Sequence, residues 1–452
     1  MRNKMKNIAK VWKSSTAFLL SAFSFLILIT SCSNELDDTL QPVENGTLQF
    51  VVSDFPAFGE GAQTRAIGTQ DAGKTAWENG DQIIVTLTSQ KYGEQAAALT
   101  YDGSSWSTEA SLSYLENETP SISVIYAPCY EVTEEGTMQS RSGMQLGMCE
   151  YLEADCEIQN GTINISFADV LRTYSRLRIA GLENQTLTVT TTDFTPAGAT
   201  SVATEPYTLT TDEKGNAYLY GTFDEGATVK VKKGDVTLTD YTFTFTTELI
   251  QSYALDARPV IDGTLGGKTE AEESDIRALM DIIKNYVANG ITTIIVTGET
   301  PAIIDMDYYT STAIGEAIYR LSEDESYNGK IDLILQDVTE IVEQEFYEAY
   351  ALNSINLPKV TKIGNEAFCK TWFLKTITFG TVVKEVNETG EEVMFAQVGK
   401  EVDGCDLFIN CGQMKENSVP TPDLTTNTWF KNEFKSITLT HTGECDECKP
   451  NQ

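Results

Sequence analysis

Apolar and polar residues alternate in short runs through the first half of the chain, from about residue 46 to 262. The runs are rich in Thr, Val, Tyr and Phe, and examples are 48–52, 82–87, 122–126, 162–167, 228–231 and 241–245. Turn-forming pairs such as Asp102-Gly103 and Asn160-Gly161 separate them. Short strands at regular spacing with such turns are typical of β-sandwiches. The pattern therefore predicts β-sandwich architecture for this half.

The pattern changes at residues 263–273, which form a glycine-rich and then acidic linker. An apolar stripe at helical spacing follows and predicts a helix with Ser274 as its N-cap. The residues of the stripe are Ile276, Leu279, Met280, Ile283 and Val287. A strand is predicted at 291–297, and a second short helix carries an apolar set at Ile314, Ala317, Ile318 and Leu321. This part of the chain therefore mixes α and β elements.

An internal repeat with a period of 22 residues begins near residue 333. The matched pairs are Val338 with Val360, Ile341 with Ile363, Phe346 with Phe368 and Leu352 with Leu374. The period lies within the range of about 20–29 residues found in leucine-rich repeats, whose units stack because one unit cannot bury its own apolar face. Two units and a partial third, at 374–379, are visible, and strands at 405–409 and 434–440 are expected to follow. The sequence predicts a small α/β solenoid at 274–442 and a tail at 443–452.

The N-terminus has the organisation of a signal peptide. Five basic and no acidic residues occupy positions 1–13, and the apolar core at 17–29 is shorter than the roughly 20 residues that span a bilayer. Ile29-Thr30-Ser31-Cys32 resembles the lipobox of bacterial lipoproteins, in which the cysteine is acylated and becomes the first residue. We expect residues 1–31 to be a lipoprotein signal peptide, Cys32 to carry the lipid and residues 32–46 to form a tether. An ordinary signal peptide with an incidental cysteine is the alternative.

Composition excludes several classes of function. The chain has 66 acidic and 32 basic residues, a net charge of −34, so we expect no nucleic-acid partner. An anionic membrane surface would also repel the chain, so the membrane attachment is expected to depend on the lipid. The single histidine, His441, lies in a polar C-terminal segment, which argues against zinc peptidases and histidine-dependent hydrolases. We predict that the protein is not an enzyme and has no catalytic residue, metal or cofactor.

Nine cysteines are present, and export would permit disulfides among those that carry no lipid. Their irregular spacing leaves the connectivity open; Cys405 and Cys411 are one candidate pair, and most of the others are interpreted as small buried apolar residues. In the tail, His441, Cys445 and Cys448 have the spacing of half a zinc site, with a local disulfide or an unstructured tail as alternatives.

Two further patterns are interpreted structurally. Trp77 and Trp106 are expected in a core rather than on a sugar-stacking platform. Glu340, Glu343 and Glu345, close to the repeats, are interpreted as a solvated acidic face.

The repeat resembles the BspA-type leucine-rich repeat. The carrying motif is Ile355-x-Leu357-Pro358-x-Val360-x-x-Ile363-Gly364-x-x-Ala367-Phe368, followed by Leu374-x-x-Ile377. That family is common on surface lipoproteins of anaerobic bacteria and serves adhesion and protein recognition. The resemblance covers less than a third of the chain and implies a solenoid that binds a ligand.

The first half resembles the fimbrillin-like (Mfa-like) proteins of the Bacteroidota. The carrying segments are 64–66 (Thr-Arg-Ala), 75–83, 101–106, 125–128, 165–167 and 175–179, although Ala168 replaces a usual histidine. The resemblance implies two β-sandwich domains, at 47–157 and 158–262. In polymerising members, cleavage after an arginine removes the first strand, and a strand of the next subunit takes its place. Arg65 is the matching position; an ordinary loop arginine is the alternative.

Together these observations predict a multidomain, mainly β protein in which two fimbrillin-like β-sandwich domains precede a small leucine-rich-repeat solenoid. The resemblances imply a lipoprotein of the outer membrane, and the acidic residues after Cys32 resemble a tag for its outer face. The expected role is adhesion, as an adhesin or as a pilus tip or accessory subunit. The expected partners are a host or bacterial surface protein or glycan, and other pilins by strand addition. Since cleavage at Arg65 would separate the subunit from its lipid, we expect the uncut form. The alternative is a glycan-capturing lipoprotein that supports nutrient uptake.

Overall fold

The structure is a computed structural model. It describes residues 42–43, 49–56, 74–115, 118–159, 161–167, 172–303, 311–386, 394–410 and 419–440. The described residues are mainly β and form several sheets, which confirms the predicted mainly β class. Within these residues, no helix is both long and apolar enough to cross a membrane.

The first part of the fold is built on a seven-stranded sheet. Its region contains β1 (Pro42–Val43), β2 (Gln49–Val52), β3 (Gln82–Ser89), β4 (Gly93–Tyr101), β5 (Trp106–Ser107), β6 (Tyr114–Leu115), β7 (Ser121–Tyr126), β8 (Tyr130–Val132), β9 (Met138–Ser140), β10 (Leu152–Gln159) and β11 (Thr162–Ser166). The strand order of the sheet is β2-β11-β10-β7-β3-β4-β5, and β2 runs parallel to β11 at its edge. Alternate residues of β3 (Ile83, Val85 and Leu87) are fully buried, because successive side chains of a strand point to opposite faces.

The second part consists of two four-stranded sheets around one apolar core. Its strands are β12 (Ser175–Ala180), β13 (Thr186–Thr191), β14 (Phe194–Pro196), β15 (Tyr207–Thr210), β16 (Asn216–Phe223), β17 (Thr228–Lys233), β18 (Val236–Thr242) and β19 (Ser252–Asp256). The sheet orders are β14-β16-β12-β19 and β15-β13-β17-β18. Val189 and Val231 of one sheet and Leu177 and Leu219 of the other belong to the same buried cluster. Two sheets that share a core in this way form a sandwich.

The third part, called the repeat unit below, has a seven-stranded parallel sheet and two helices. The sheet contains β20 (Val260–Asp262), β22 (Thr293–Thr297), β24 (Ile331–Leu335), β26 (Leu352–Leu357), β28 (Thr376–Val382), β30 (Asp406–Asn410) and β33 (Ser436–Thr440), paired in that order. Shorter strands are β21 (Glu270–Ala271), β23 (Ala302–Ile303), β25 (Glu340–Ile341), β27 (Lys362–Ile363), β29 (Glu385–Val386), β31 (Thr428–Trp429) and β32 (Asn432–Glu433). The helices are α1 (Glu273–Ala288) and α2 (Ala313–Glu323). The segment predicted as a linker thus carries β21 and the start of α1.

The 22-residue period of the sequence appears as register between parallel strands. Ile355 of β26 lies opposite Leu333 of β24 on one side and Ile377 of β28 on the other. Buried aromatic rings stack through the same unit: Phe368 lies 5.6 Å from Phe346 and 5.6 Å from Phe395 between ring centroids. We call Phe346, Phe368, Phe395 and Trp429, which continues the stack at 5.6 Å from Phe395, the aromatic spine.

The start of α1 differs from the prediction. The N-cap is Glu272 and not Ser274, and the Asp275 carboxylate accepts the Glu272 backbone N–H at 2.9 Å. An acidic side chain in the first helical turn also interacts favourably with the helix dipole, which explains the earlier start. The predicted apolar face is confirmed at Ile276, Leu279 and Ile283, all of which are buried.

Candidate functional site

The sequence-predicted site residues lie outside the described part of the chain. This holds for the lipid acceptor Cys32, for Arg65, and for the tail group of His441, Cys445 and Cys448. Lipidation, proteolytic processing and the role of the tail therefore stay predictions.

The described cysteines include one disulfide whose partners the sequence did not identify. Cys129 and Cys149 are bonded across 20 residues of sequence, next to the first sheet. Cys369 and Cys405 are buried thiols, and burial raises their pKa values to about 11 and about 12. Thiols with such pKa values are poor nucleophiles, so these two cysteines fit the prediction of small buried residues. Cys411, the candidate partner of Cys405, lies outside the described residues.

The outer face of the parallel sheet is polar and internally hydrogen bonded. A row of half-buried residues crosses five strands: Asp332, Ser354, Thr376, Asp406 and Ser436. The Asp332 carboxylate accepts hydrogen bonds from Thr292 at 2.9 Å, Asn353 at 2.6 Å and Ser354 at 2.7 Å. The Asp332 carboxylate is therefore already satisfied by hydrogen bonds from neighbouring residues of the fold.

One edge of the repeat unit carries paired charges. Lys359 lies 2.6 Å from Asp337, and Lys362 lies 2.8 Å from Glu340, each pair joining positions 22 residues apart. We call this the paired edge. The prediction of a solvated acidic face is therefore only partly right: Glu340 is exposed but is neutralised by Lys362, 22 residues later in the chain.

Glu345 is not on a solvated face, and that part of the prediction is wrong. Its side chain is 3% exposed and lies at the N-terminus of α2. The carboxylate accepts the Thr312 backbone N–H at 2.9 Å and also the Thr312 hydroxyl. A Cβ at Gly315 would lie 2.7 Å from the Glu345 carboxyl carbon, so this contact requires glycine. Burial raises the pKa of Glu345 to about 7, and the hydrogen bonds from Thr312 and Gly315 oppose the rise.

This burial predicts a pH-dependent stability that Glu345→Gln should remove. Between the ordinary pKa of 4.5 and the folded value of about 7, the unfolded chain releases a proton that the folded chain retains. The contribution of the protonated Glu345 side chain to stability is therefore present in full below pH 4.5 and is lost as the pH rises through 7. The difference corresponds to about 3 kcal/mol. Relative to wild type, Glu345→Gln should be more stable at pH 8 than at pH 5 by up to that amount, measured by hydrogen exchange of the β26 amides.

Glu343→Gln is the matched control, since Glu343 is exposed, two residues away, and loses the same charge. It should shift stability similarly at both pH values. An equal wild-type-to-Glu345→Gln difference at pH 5 and pH 8 would show that this carboxyl does not titrate in the window.

The opposite edge of the repeat unit combines aromatic rings with lysines. Tyr350 stacks on Trp372 with ring centroids 4.9 Å apart, and Phe373 meets Tyr350 edge-on at 6.3 Å. Lys330 Nζ lies 3.9 Å from the Phe373 centroid, and Lys400 Nζ lies 5.6 Å from a Trp372 centroid. Partial burial lowers the pKa of Lys330, and the nearby Lys375 lowers it further. We call these six residues the lysine–aromatic edge: Lys330, Tyr350, Trp372, Phe373, Lys375 and Lys400.

The three aromatic side chains are partly exposed and the three lysines are exposed. In the described part of the chain, no carboxylate lies within ion-pair distance of Lys330, Lys375 or Lys400. Sequence reasoning missed this surface, because Lys330 and Lys375 come together only through the pairing of strands distant in sequence. A cationic, aromatic surface on a chain of net charge −34 is the first candidate binding site.

The second candidate site is a concave cleft between the first sheet and the second part of the fold. Its cavity volume is about 660 Å³, and its lining includes Tyr126, Tyr218, Tyr220, Met144 and Met148. We call it the tyrosine cleft. Its size and mixed aromatic and polar lining are in the usual range for ligand pockets.

The two tryptophans of the first part belong to the core, as predicted. Trp77 and Trp106 contact each other edge-to-face at 4.9 Å, and both pack against the buried cluster of the first sheet. The Trp77 indole N–H donates to the Ser53 carbonyl at 2.8 Å, so its polar atom is satisfied inside the fold.

Comparison with known proteins gives little further information. No protein-family model matches the chain. No curated protein matches it either. A solved structure from Bacteroides fragilis, described provisionally as a cell adhesion protein, is similar at 9% sequence identity with a TM-score of 0.24. The match covers 46% of this chain and 92% of that one. A likeness at this level carries no argument about this chain.

Proposed function

We propose that the chain is a surface-exposed lipoprotein that acts in adhesion through its repeat unit. In this proposal the repeat unit is a leucine-rich-repeat solenoid. The support is the in-register parallel pairing of positions 22 residues apart, as between Leu333 and Ile355. The Cys32 motif supports anchoring by lipid, and the acidic residues that follow it support display on the outer face of the outer membrane.

The observation that carries the adhesive role is the lysine–aromatic edge. Tyr and Trp are enriched among the residues that dominate binding energy, and here they are held rigidly by stacking while remaining partly exposed. Within the described residues, no carboxylate pairs with the three exposed lysines of this edge. Non-covalent recognition of a surface ligand accounts for it.

The fimbrillin-like part adds a second proposed interaction, strand addition by other pilins. The strand that cleavage at Arg65 would remove includes β2, which lies at a sheet edge and pairs with β11. Loss of β2 would expose the backbone N–H and C=O groups of β11, which an incoming strand can satisfy. Because the same cut would separate the protein from Cys32, the proposed working form is uncut, with a pilus tip or accessory role as the variant.

The tyrosine cleft favours a second candidate, capture of glycans for nutrient uptake. Tyr218 and Tyr220 are partly exposed side chains of β16 within a cleft that also offers Asn216 and Asp212 as hydrogen-bonding groups. Aromatic faces beside such groups suit a sugar ring. This candidate predicts impaired growth on a polysaccharide without loss of adherence.

Adherence of bacteria that carry the full chain tests the proposal together with its anchor. We expect cells lacking the chain, and cells with Cys32→Ala, to adhere less to epithelial layers than wild type, because the second group does not retain the protein. Labelling with an alkyne fatty acid should mark the wild-type chain and the Cys369→Ala control, but not Cys32→Ala. Equal adherence with and without the chain would refute the adhesive role, and growth on polysaccharides then tests the second candidate.

A further inference from the structure

We propose that the lysine–aromatic edge binds an anionic polysaccharide that carries carboxylate or sulfate groups. The inference deepens the proposed function, since it names the class of ligand for the same surface. The lysines of this edge lie in spaced positions, pair with no carboxylate of the described residues, and are flanked by partly exposed aromatic rings.

The parallel sheet places lysines in a row. Lys330, Lys375 and Lys435 each directly precede a strand, namely β24, β28 and β33. Because the starts of parallel strands meet at one edge and neighbouring strands lie about 4.8 Å apart, the first two are separated by about 10 Å. A row of spaced positive charges along one edge matches a linear chain with repeated negative charges.

Comparison of the two edges of the repeat unit shows which lysines have internal roles. On the paired edge, Lys359 and Lys362 each form a close ion pair with a carboxylate of the preceding coil. Elsewhere in the repeat unit, Lys370 is paired with Glu348 at 2.7 Å and Lys435 lies 3.7 Å from Asp403. The three lysines that define the edge form no such pair with any described carboxylate, so their charges are available to a ligand.

The rings hold these ammonium groups in place. Lys330 donates to the Tyr350 carbonyl at 2.7 Å while its Nζ lies over the Phe373 ring. Lys400 lies over Trp372, whose indole N–H donates to Gln397 at 3.1 Å. Ammonium groups positioned by cation–π contacts lose less conformational freedom when an anion binds. The exposed ring edges add apolar contact area for the carbon face of a sugar.

The charge pattern favours a polysaccharide over an acidic protein. Lysine is depleted from the cores of protein–protein interfaces, whereas three exposed lysines dominate this edge. The net charge of −34 repels anions at long range, but at physiological salt the screening length is about 8 Å. The local lysines therefore control binding, although Glu348 and Glu323 lie near Tyr350 and limit the local excess of positive charge.

Binding of the full chain to heparin and to polygalacturonate tests the inference, with dextran as the neutral polysaccharide. Heparin carries sulfates and polygalacturonate carries only carboxylates, so the two arms separate the anionic groups. We expect wild type to bind at least one of them and not dextran. The variant Lys330→Gln/Lys375→Gln/Lys400→Gln should lose roughly tenfold in affinity at 0.15 M salt, from three exposed charge pairs. Trp372→Ala should weaken the binding that remains at high salt.

The control Lys359→Gln/Lys362→Gln/Lys384→Gln removes the same charge from the paired edge and should keep wild-type affinity. The exposed Lys384 lies beside this edge, since its backbone N–H donates to the carbonyl of Thr361. Unchanged hydrogen exchange of the β28 amides in the first triple variant shows that its fold is intact. Equal losses in both triple variants, or no binding of wild type to either polyanion, would overturn the inference. If bacteria with the first triple variant still adhere as wild type does, adhesion stands with another ligand. If bacteria lacking the chain adhere equally, the proposed function itself fails.

Discussion

Phe368→Ala should destabilise the repeat unit by about 3–5 kcal/mol, the range for truncation of a buried aromatic residue. Phe368 is fully buried, and both faces of its ring are covered, by Phe346 and by Phe395. The neighbouring rings of Phe346 and Phe395 belong to segments that are fixed by strand pairing on either side. These rings therefore cannot move into the cavity. Hydrogen exchange of the β26 and β28 amides should accelerate by about 100- to 1,000-fold or more, since each 1.4 kcal/mol is a factor of ten.

Phe408→Ala is the matched control. It removes the same type of side chain from the outer face of the sheet that contains β26 and β28, where Phe408 of β30 is only half-buried. Its cost should be under about 1.5 kcal/mol. Exchange of the β3 amides should not change in either variant, because β3 belongs to the first sheet. A small effect of Phe368→Ala in β26 and β28 would mean that the aromatic spine does not hold the coils together.

The aromatic spine also shows how far the sequence predicts this fold. Phe346 and Phe368 were identified because they are 22 residues apart and repeat within the same motif. Phe395 and Trp429 continue the stack, but they follow at 27 and 34 residues, so no constant period reveals them. Insertions outside the strands lengthen a coil without changing what packs inside it. The period therefore predicted the beginning of the parallel sheet, and β30 and β33 were expected only as strands of unstated pairing.

Glu345 shows a signal that the sequence did contain. The repeat aligns it with Ala367, a residue that is fully buried in the structure. An acidic residue at a buried repeat position indicates a partner, and the partner is the N-terminus of α2. The prediction of a solvated acidic face grouped Glu345 with its exposed neighbours in sequence. It did not use the position of Glu345 within the repeat.

The lysine–aromatic edge was harder to predict for a different reason. Lys330, Lys375 and Lys400 are separated by 45 and 25 residues, so no repeat relates them. Lys330 and Lys375 share an edge only because β24 and β28 belong to one parallel sheet. The tyrosine cleft likewise depends on how two parts of the fold meet. Local patterns predict elements, whereas these surfaces depend on contacts between elements distant in sequence.

Arg172→Met should destabilise the junction of the first sheet with the second part by about 3–5 kcal/mol at pH 8, the cost of breaking a buried ion pair. Arg172 lies 3.1 Å from Glu150, and their side chains are 2% and 7% exposed. Removal of the guanidinium leaves a buried carboxylate without its cation. Burial already raises the pKa of Glu150, and Arg172 opposes that rise. Proton uptake can therefore relieve part of the cost, and the loss should be smaller at pH 5. Exchange of the β10 and β12 amides measures it.

Two controls separate a lost charge from lost packing. Glu150→Gln/Arg172→Met removes both charges of the pair and should recover most of the stability at pH 8, because neither partner is left buried without the other. Arg141→Met breaks a pair with Glu131 whose side chains are 39% and 38% exposed, and it should cost less than about 1 kcal/mol. If the double variant is as unstable as Arg172→Met, the contact of the Arg172 side chain with the Phe55 ring, at 5.6 Å, is the dominant contribution. Recovery confined to the double variant at high pH would assign the effect to the uncompensated carboxylate of Glu150.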